Sequence, residues 1–92
     1  MLTGVFAKVL FTLYDETQGP IITEKTLNMS AEDFFVSVNF LVDNGYVKES
    51  AVKKHPSIDL IHVERIGALT LKGIEEGKYI AINGITPDIM GG

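Results

Sequence analysis

The sequence predicts a small α+β domain, with helices at its two ends and a two-stranded antiparallel hairpin between them. Three observations predict it. Residues 30–47 spell a capped apolar helix that is stopped by Asn44-Gly45 and runs into a Tyr-Val strand start. Residues 46–54 and 60–68 are rich in β-branched side chains and flank His55-Pro56-Ser57, which supplies turn chemistry. Residues 2–14 carry apolar side chains at helical spacing. A chain of 92 residues with no internal repeat and no splitting linker is enough for one modest core, so residues 1–82 read as one domain and 83–92 as a short tail.

In the first helix, Leu2, Val5, Phe6, Val9, Leu10 and Leu13 fall on one side and Thr3, Lys8 and Thr12 on the other. Gln18-Gly19-Pro20 then permits no continuation. Ile21-Ile22 can make a very short strand. Thr23 to Asn28 reads as one or two helical turns with Leu27 facing in, and Asn28-Met29 as the turn leading to the next helix. That helix opens with Ser30 as the cap and Asp33 able to reach back to it. Ala31, Phe34, Phe35, Val38, Leu41 and Val42 span an arc of roughly 120°, a core-facing stripe. In the hairpin, Ile61, Val63 and Arg65 alternate with His62, Glu64 and Ile66. Thr70 can cap a last helix to about residue 80, which Gly73 and Gly77 each weaken by about 1 kcal/mol relative to Ala. Gly73 and Gly77 suggest at most close helix packing, of which a contact between subunits is one form. The apolar tail either docks on the core or covers a neighbouring chain, which would make a homodimer.

The order of capped helix, glycine and aromatic-Val strand resembles the second helix of a winged helix-turn-helix running into its wing. Leu69-Thr70-Leu71-Lys72-Gly73 resembles the Leu-Thr-x-x-Gly step after such a wing. More narrowly, Asp33-Phe34, Val38-Asn39-Phe40-Leu41 and Gly45-Tyr46 are similar to the small YjcQ-like winged-helix proteins of Gram-positive bacteria and their phages, over roughly residues 3–80. The resemblance implies three helices, a two-stranded antiparallel wing and a C-terminal helix. It rests on core and turn residues, so it implies a scaffold, and DNA contact or transcription regulation only as the commonest use of that scaffold.

Composition narrows the classes. Hydrophobic content of 46% is too high for a disordered chain. There is no cysteine, hence no disulfide framework and no thiolate metal site. The start lacks a basic signal-peptide region, and no apolar run approaches the ~20 residues a membrane span needs, so the expectation is a cytoplasmic protein with no membrane contact. The net charge of −4 opposes bulk attraction to nucleic acid. Its distribution matters more: residues 46–65 hold four bases against three acids, and the remainder four bases against nine acids.

Two readings of the site follow. In the first, the hairpin contacts double-stranded DNA: Lys48, Lys53, Lys54, His55 and Arg65 neutralise phosphates, and Ser37 with Asn39 supplies any base reading. Against it, residues 27–47 contain no Lys or Arg, and lysines on an edge ribbon also serve simply to block aggregation. In the second, Glu32, Asp33 and Asp43 rim an exposed apolar pair, Val36 and Phe40, and the helix docks a protein partner, as a phage-type adaptor or inhibitor would. The plainer account of Phe40 is burial beneath the hairpin or the tail. Catalysis has little support. His62-Val63-Glu64 has the H-x-E spelling without the cysteines of a zinc deaminase, and with His55 could form at most a weak surface metal site. Asp15-Glu16 and Glu75-Glu76 sit at helix ends and solvated faces, and no phosphate-cradling glycine loop is present. No enzyme activity and no cofactor are expected.

Overall fold

The computed structural model describes residues 1–56 and 60–87. Three helices and three strands follow one another as α1 (Gly4–Tyr14), β1 (Ile21–Ile22), α2 (Ala31–Asp43), β2 (Val52–Lys54), β3 (Ile61–Glu64) and α3 (Leu71–Asn83). The sheet is antiparallel in the order β1-β3-β2, with Ile22 opposite Val63 on one side and Val52 opposite Val63 on the other. Ile22, Ile61 and Val63 turn inward and meet Ala7, Val9, Leu10 and Leu13 of α1, Phe34, Val38 and Leu41 of α2, and Ile80 of α3. The Cα radius of gyration, 12.5 Å, is close to the ~12 Å expected of one unit of this length.

The ends of α2 form for the reasons its sequence suggests. Asp33 N–H donates to Ser30 Oγ (3.1 Å), but only that half of the expected reciprocal cap is made. At the other end, Tyr46 N–H donates to Leu41 O (2.9 Å) and Gly45 N–H to Val42 O (3.0 Å), with Gly45 at φ +79°. That is the left-handed glycine stop, which satisfies carbonyls the helix itself cannot.

Several expectations are corrected. Residues 23–28 form hydrogen-bonded turns and no helix. Met29 N–H reaches back to Glu24 O (3.0 Å) and Asn28 to Lys25 O (3.2 Å), with Asn28 left-handed at φ +55°. The segment is therefore closed off by the same kind of cap before a second turn can add. Residues 46–51 hold one isolated bridge, Val47 opposite Leu69, and a 3-10 turn at Glu49–Ala51, so the regular strand starts only at Val52. Of the N-terminal stripe, Val5 is exposed and Ala7 is buried in its place. Gly73 and Gly77 do pack closely, but within the chain: a Cβ on Gly73 would strike the Tyr46 carbonyl oxygen, and one on Gly77 would lie 2.5 Å from the Tyr14 ring. As far as it is described, the tail docks on the start of α1. Thr3 bridges Thr86, and Gly4 N–H donates to Thr86 O (2.8 Å). The turn at residues 57–59 and the tail at 88–92 lie outside the described residues.

Candidate functional site

The hairpin places its bases unevenly. Lys48, Lys53, Lys54 and His55 are all exposed. Lys53 stands opposite His62, which puts its ammonium 3.6 Å from Glu64 Oε1, with both side chains about half exposed. A pair so open to water contributes little stability, yet it supplies each charge with a local counter-ion. Arg65 does not join this group. Its N–H donates to Pro20 O (2.8 Å) and its Nε–H to Gly19 O (2.9 Å), so it clamps the turn before β1. From Ile61, which faces Lys54, Arg65 lies four residues along the strand, about 13 Å away.

α2 also departs from expectation. Ser37 is 2% exposed and faces the core, so its hydroxyl cannot read a base. Asn39 is half-buried and lines an open cleft of about 520 Å³ between α2 and the hairpin, shared with Val42, Asp43, Glu49, Val52, Lys53 and Lys54. Of the seven residues expected to meet DNA, this cleft gathers three: Asn39, Lys53 and Lys54. Asp43 and Glu49 bring as many carboxylates to it as there are ammonium groups.

The outward side of α2 carries Glu32, Asp33 and Asp43, all exposed, around Val36 at 54% and Phe40 at 37%. Phe40 stays partly exposed where the plainer account had it buried, and its aromatic partner among the described residues lies on α1. It stacks on Phe6 of α1, with ring centroids 4.2 Å apart and planes 28° from parallel. Phe35, expected in the core, is also 37% exposed, and at 100° per residue it lies about 100° round the helix from Val36, on the edge away from Phe40. The buried set Phe34, Ser37, Val38, Leu41 has i, i+3, i+4, i+7 spacing. A serine in the second place hid that register and made Phe35 look like the inward residue.

Lys72, which sequence reasoning did not single out, reaches the end of α2. Its ammonium donates to Asn44 O (2.8 Å) and lies 4.4 Å from the centre of the Tyr46 ring. A cation at a helix C-terminus offsets the partial negative charge there. Burial, reinforced by the Glu76 carboxylate, raises the Tyr46 phenol above its ordinary value. Asp15 closes α1, and its carboxyl is held low by the Thr17 hydroxyl (2.7 Å) and Thr17 N–H (2.9 Å) that donate to it. Glu64 pairs with Lys53, and among the described residues no three His, Asp or Glu side chains gather in a metal-holding arrangement. Nor, among those residues, is any helix long and apolar enough to cross a membrane.

The residues and their geometry carry the functional argument alone, because no protein-family model matches the chain and no curated protein or solved structure matches it.

Proposed function

We propose that the chain is a winged-helix-type binding module, not an enzyme, and that the outer face of α2 docks a protein partner with an apolar centre and a basic rim. The scaffold part of the reading is supported by the element order, with the hairpin following the capped helix, and by β1 pairing with the inner hairpin strand. It is also supported by the YjcQ-like strings of the sequence, which fall on α2 and its glycine stop. The partner part rests on one observation: α2 exposes Phe35, Val36 and Phe40 beside Glu32, Asp33 and Asp43, and has no cationic residue of its own. Phosphates approaching that face would meet three carboxylates, whereas an apolar surface edged by Arg or Lys gains burial and charge pairing together.

A DNA-contacting role is the second reading, favoured by the cleft that gathers Asn39, Lys53 and Lys54. Of the other bases first considered, Arg65 serves the Gly19-Pro20 turn. One titration separates the two. Isotope-labelled protein receives, in turn, an amphipathic helical peptide with leucines on one face flanked by arginines, and a random duplex of about 20 bp at low and physiological salt. The expected result is that the peptide shifts amide signals of α2, that Phe35→Ser with Val36→Ser weakens it about tenfold, and that the duplex does not saturate at physiological salt. Duplex binding with a steep salt dependence, lost on Lys53→Ala with Lys54→Ala and unaffected by the serine pair, would overturn the partner reading in favour of DNA.

A further inference from the structure

The side of α3 that faces away from the core carries the two most exposed large apolar side chains among the described residues. Leu71 is 82% and Ile82 83% exposed, ahead of Ile66 at 75%. At 100° per residue, Leu71, Glu75, Lys78 and Ile82 fall on one strip roughly 60° wide. Gly73, Gly77 and Ile80 occupy the opposite, buried side. Along the helix the strip reads apolar, acidic, basic, apolar. The spacing is symmetrical: Leu71 and Ile82 are equidistant from the point between Glu76 and Gly77, and so are Glu75 and Lys78.

That symmetry suits a two-fold axis, because in an isologous contact one residue meets a second while the second meets the first across the axis. Two copies of α3 laid antiparallel about that point bring Leu71 of each copy to Ile82 of the other. The same arrangement sets Glu75 within side-chain reach of Lys78, twice. A parallel arrangement would instead set Glu75 against Glu75 and Lys78 against Lys78. Apolar surface continues past the Ile82 end through exposed Ile85 and Met1, whose sulfur accepts from the Thr86 hydroxyl (3.8 Å), and exposed Tyr79 flanks the strip. We propose that the outer strip of α3 is the seam of an antiparallel homodimer, with Leu71 packed on Ile82 and Glu75 paired with Lys78 across the two-fold axis. The seam is separate from the α2 face and does not rest on the role given to that face.

Sedimentation velocity on the full chain between roughly 5 µM and 1 mM tests it. The expected result is a concentration-dependent dimer whose dissociation constant rises about tenfold or more in Leu71→Asp and in Ile82→Asp. Both positions are solvent-exposed, and unchanged far-UV circular dichroism checks that the fold survives. Glu75→Lys should weaken the dimer, and Glu75→Lys combined with Lys78→Glu should restore it. Because the chain has no cysteine, orientation can be read separately: a mixture of Leu71→Cys and Ile82→Cys chains should oxidise to a mixed dimer, while Leu71→Cys alone should not cross-link. A monomer throughout that range, a dimer indifferent to these substitutions, or self-cross-linking of Leu71→Cys would each overturn the proposal.

Discussion

Tyr46 shows how much one side chain can gather. It follows the glycine that stops α2, its N–H closes that cap, its carbonyl accepts from Thr70 N–H (3.1 Å), and its ring lies under the Lys72 ammonium. The buried ring leaves the phenol near the Glu76 carboxylate, and both effects favour the neutral form, burial more strongly. A native value raised above the ordinary 10.0 means that the fold holds the proton more tightly than the unfolded chain does. The stabilisation is therefore complete below pH 10.0 and is lost as the pH climbs through the native value. Urea midpoints measured at about pH 9 and about pH 11 should fall for the parent chain, and Tyr46→Phe, with nothing to ionise, should show a smaller fall. In the sequence Tyr46 is legible as an aromatic strand start, but neither its carbonyl contact with α3 nor the lysine above it can be read there. Both depend on Lys72 and Gly73, more than twenty residues away.

At the scale of elements, two glycines set how close α3 can come. Sequence propensity marks Gly73 and Gly77 as weak points of a helix, and the packing gives the reason they are there: one admits the Tyr46 carbonyl and the other the Tyr14 ring. Gly73→Ala should gain about 1 kcal/mol of helix propensity and lose more to the clash, for a net destabilisation of about 1–3 kcal/mol. A lower urea midpoint at unchanged slope would be the sign of it. The same comparison explains which elements were legible. α2 and α3 are legible because spacing and caps agree, Ser30 with Gly45 in α2 and Thr70 in α3, whereas α1 is legible from spacing alone. Residues 23–28 did not, since a left-handed Asn28 is indistinguishable in sequence from an exposed helical asparagine. The outer face of α2 was half legible: Val36 and Phe40 stood out, whereas Phe35 and Ser37 exchanged places because hydrophobicity ranks them opposite to their burial.

For the molecule as a whole, the candidate surfaces fall into two groups. The acidic and apolar face of α2 adjoins the mixed cleft beside the hairpin, with Asp43 common to both, while the outer strip of α3 is carried by another helix. The Thr3–Thr86 bridge draws the described tail back to the start of α1. Charge totals alone were a poor guide to these surfaces, since the positive hairpin segment turned out to hold one paired lysine and one arginine turned to structural use. A different consequence follows from the way α2 and α3 stop. An Asn-Gly pair stands at the end of each, Asn44-Gly45 just past α2 and Asn83-Gly84 across the last residue of α3. This is the sequence most prone to spontaneous loss of ammonia, in which the glycine nitrogen attacks the asparagine side chain and water then opens the ring to Asp or isoaspartate. Here Gly45 N–H is engaged by Val42 O (3.0 Å) and Gly84 N–H by Ile80 O (2.7 Å), while the Asn44 and Asn83 amides donate to Phe40 O (2.8 Å) and Tyr79 O (3.0 Å). Nucleophile and target are thus both occupied until a helix end opens. Ageing should accordingly be slow in buffer and much faster in urea at both junctions, as peptide mass mapping would record. Each new carboxylate would then stand at the negative end of its helix and hinder reclosure, so the shelf life of the protein is written into its two caps.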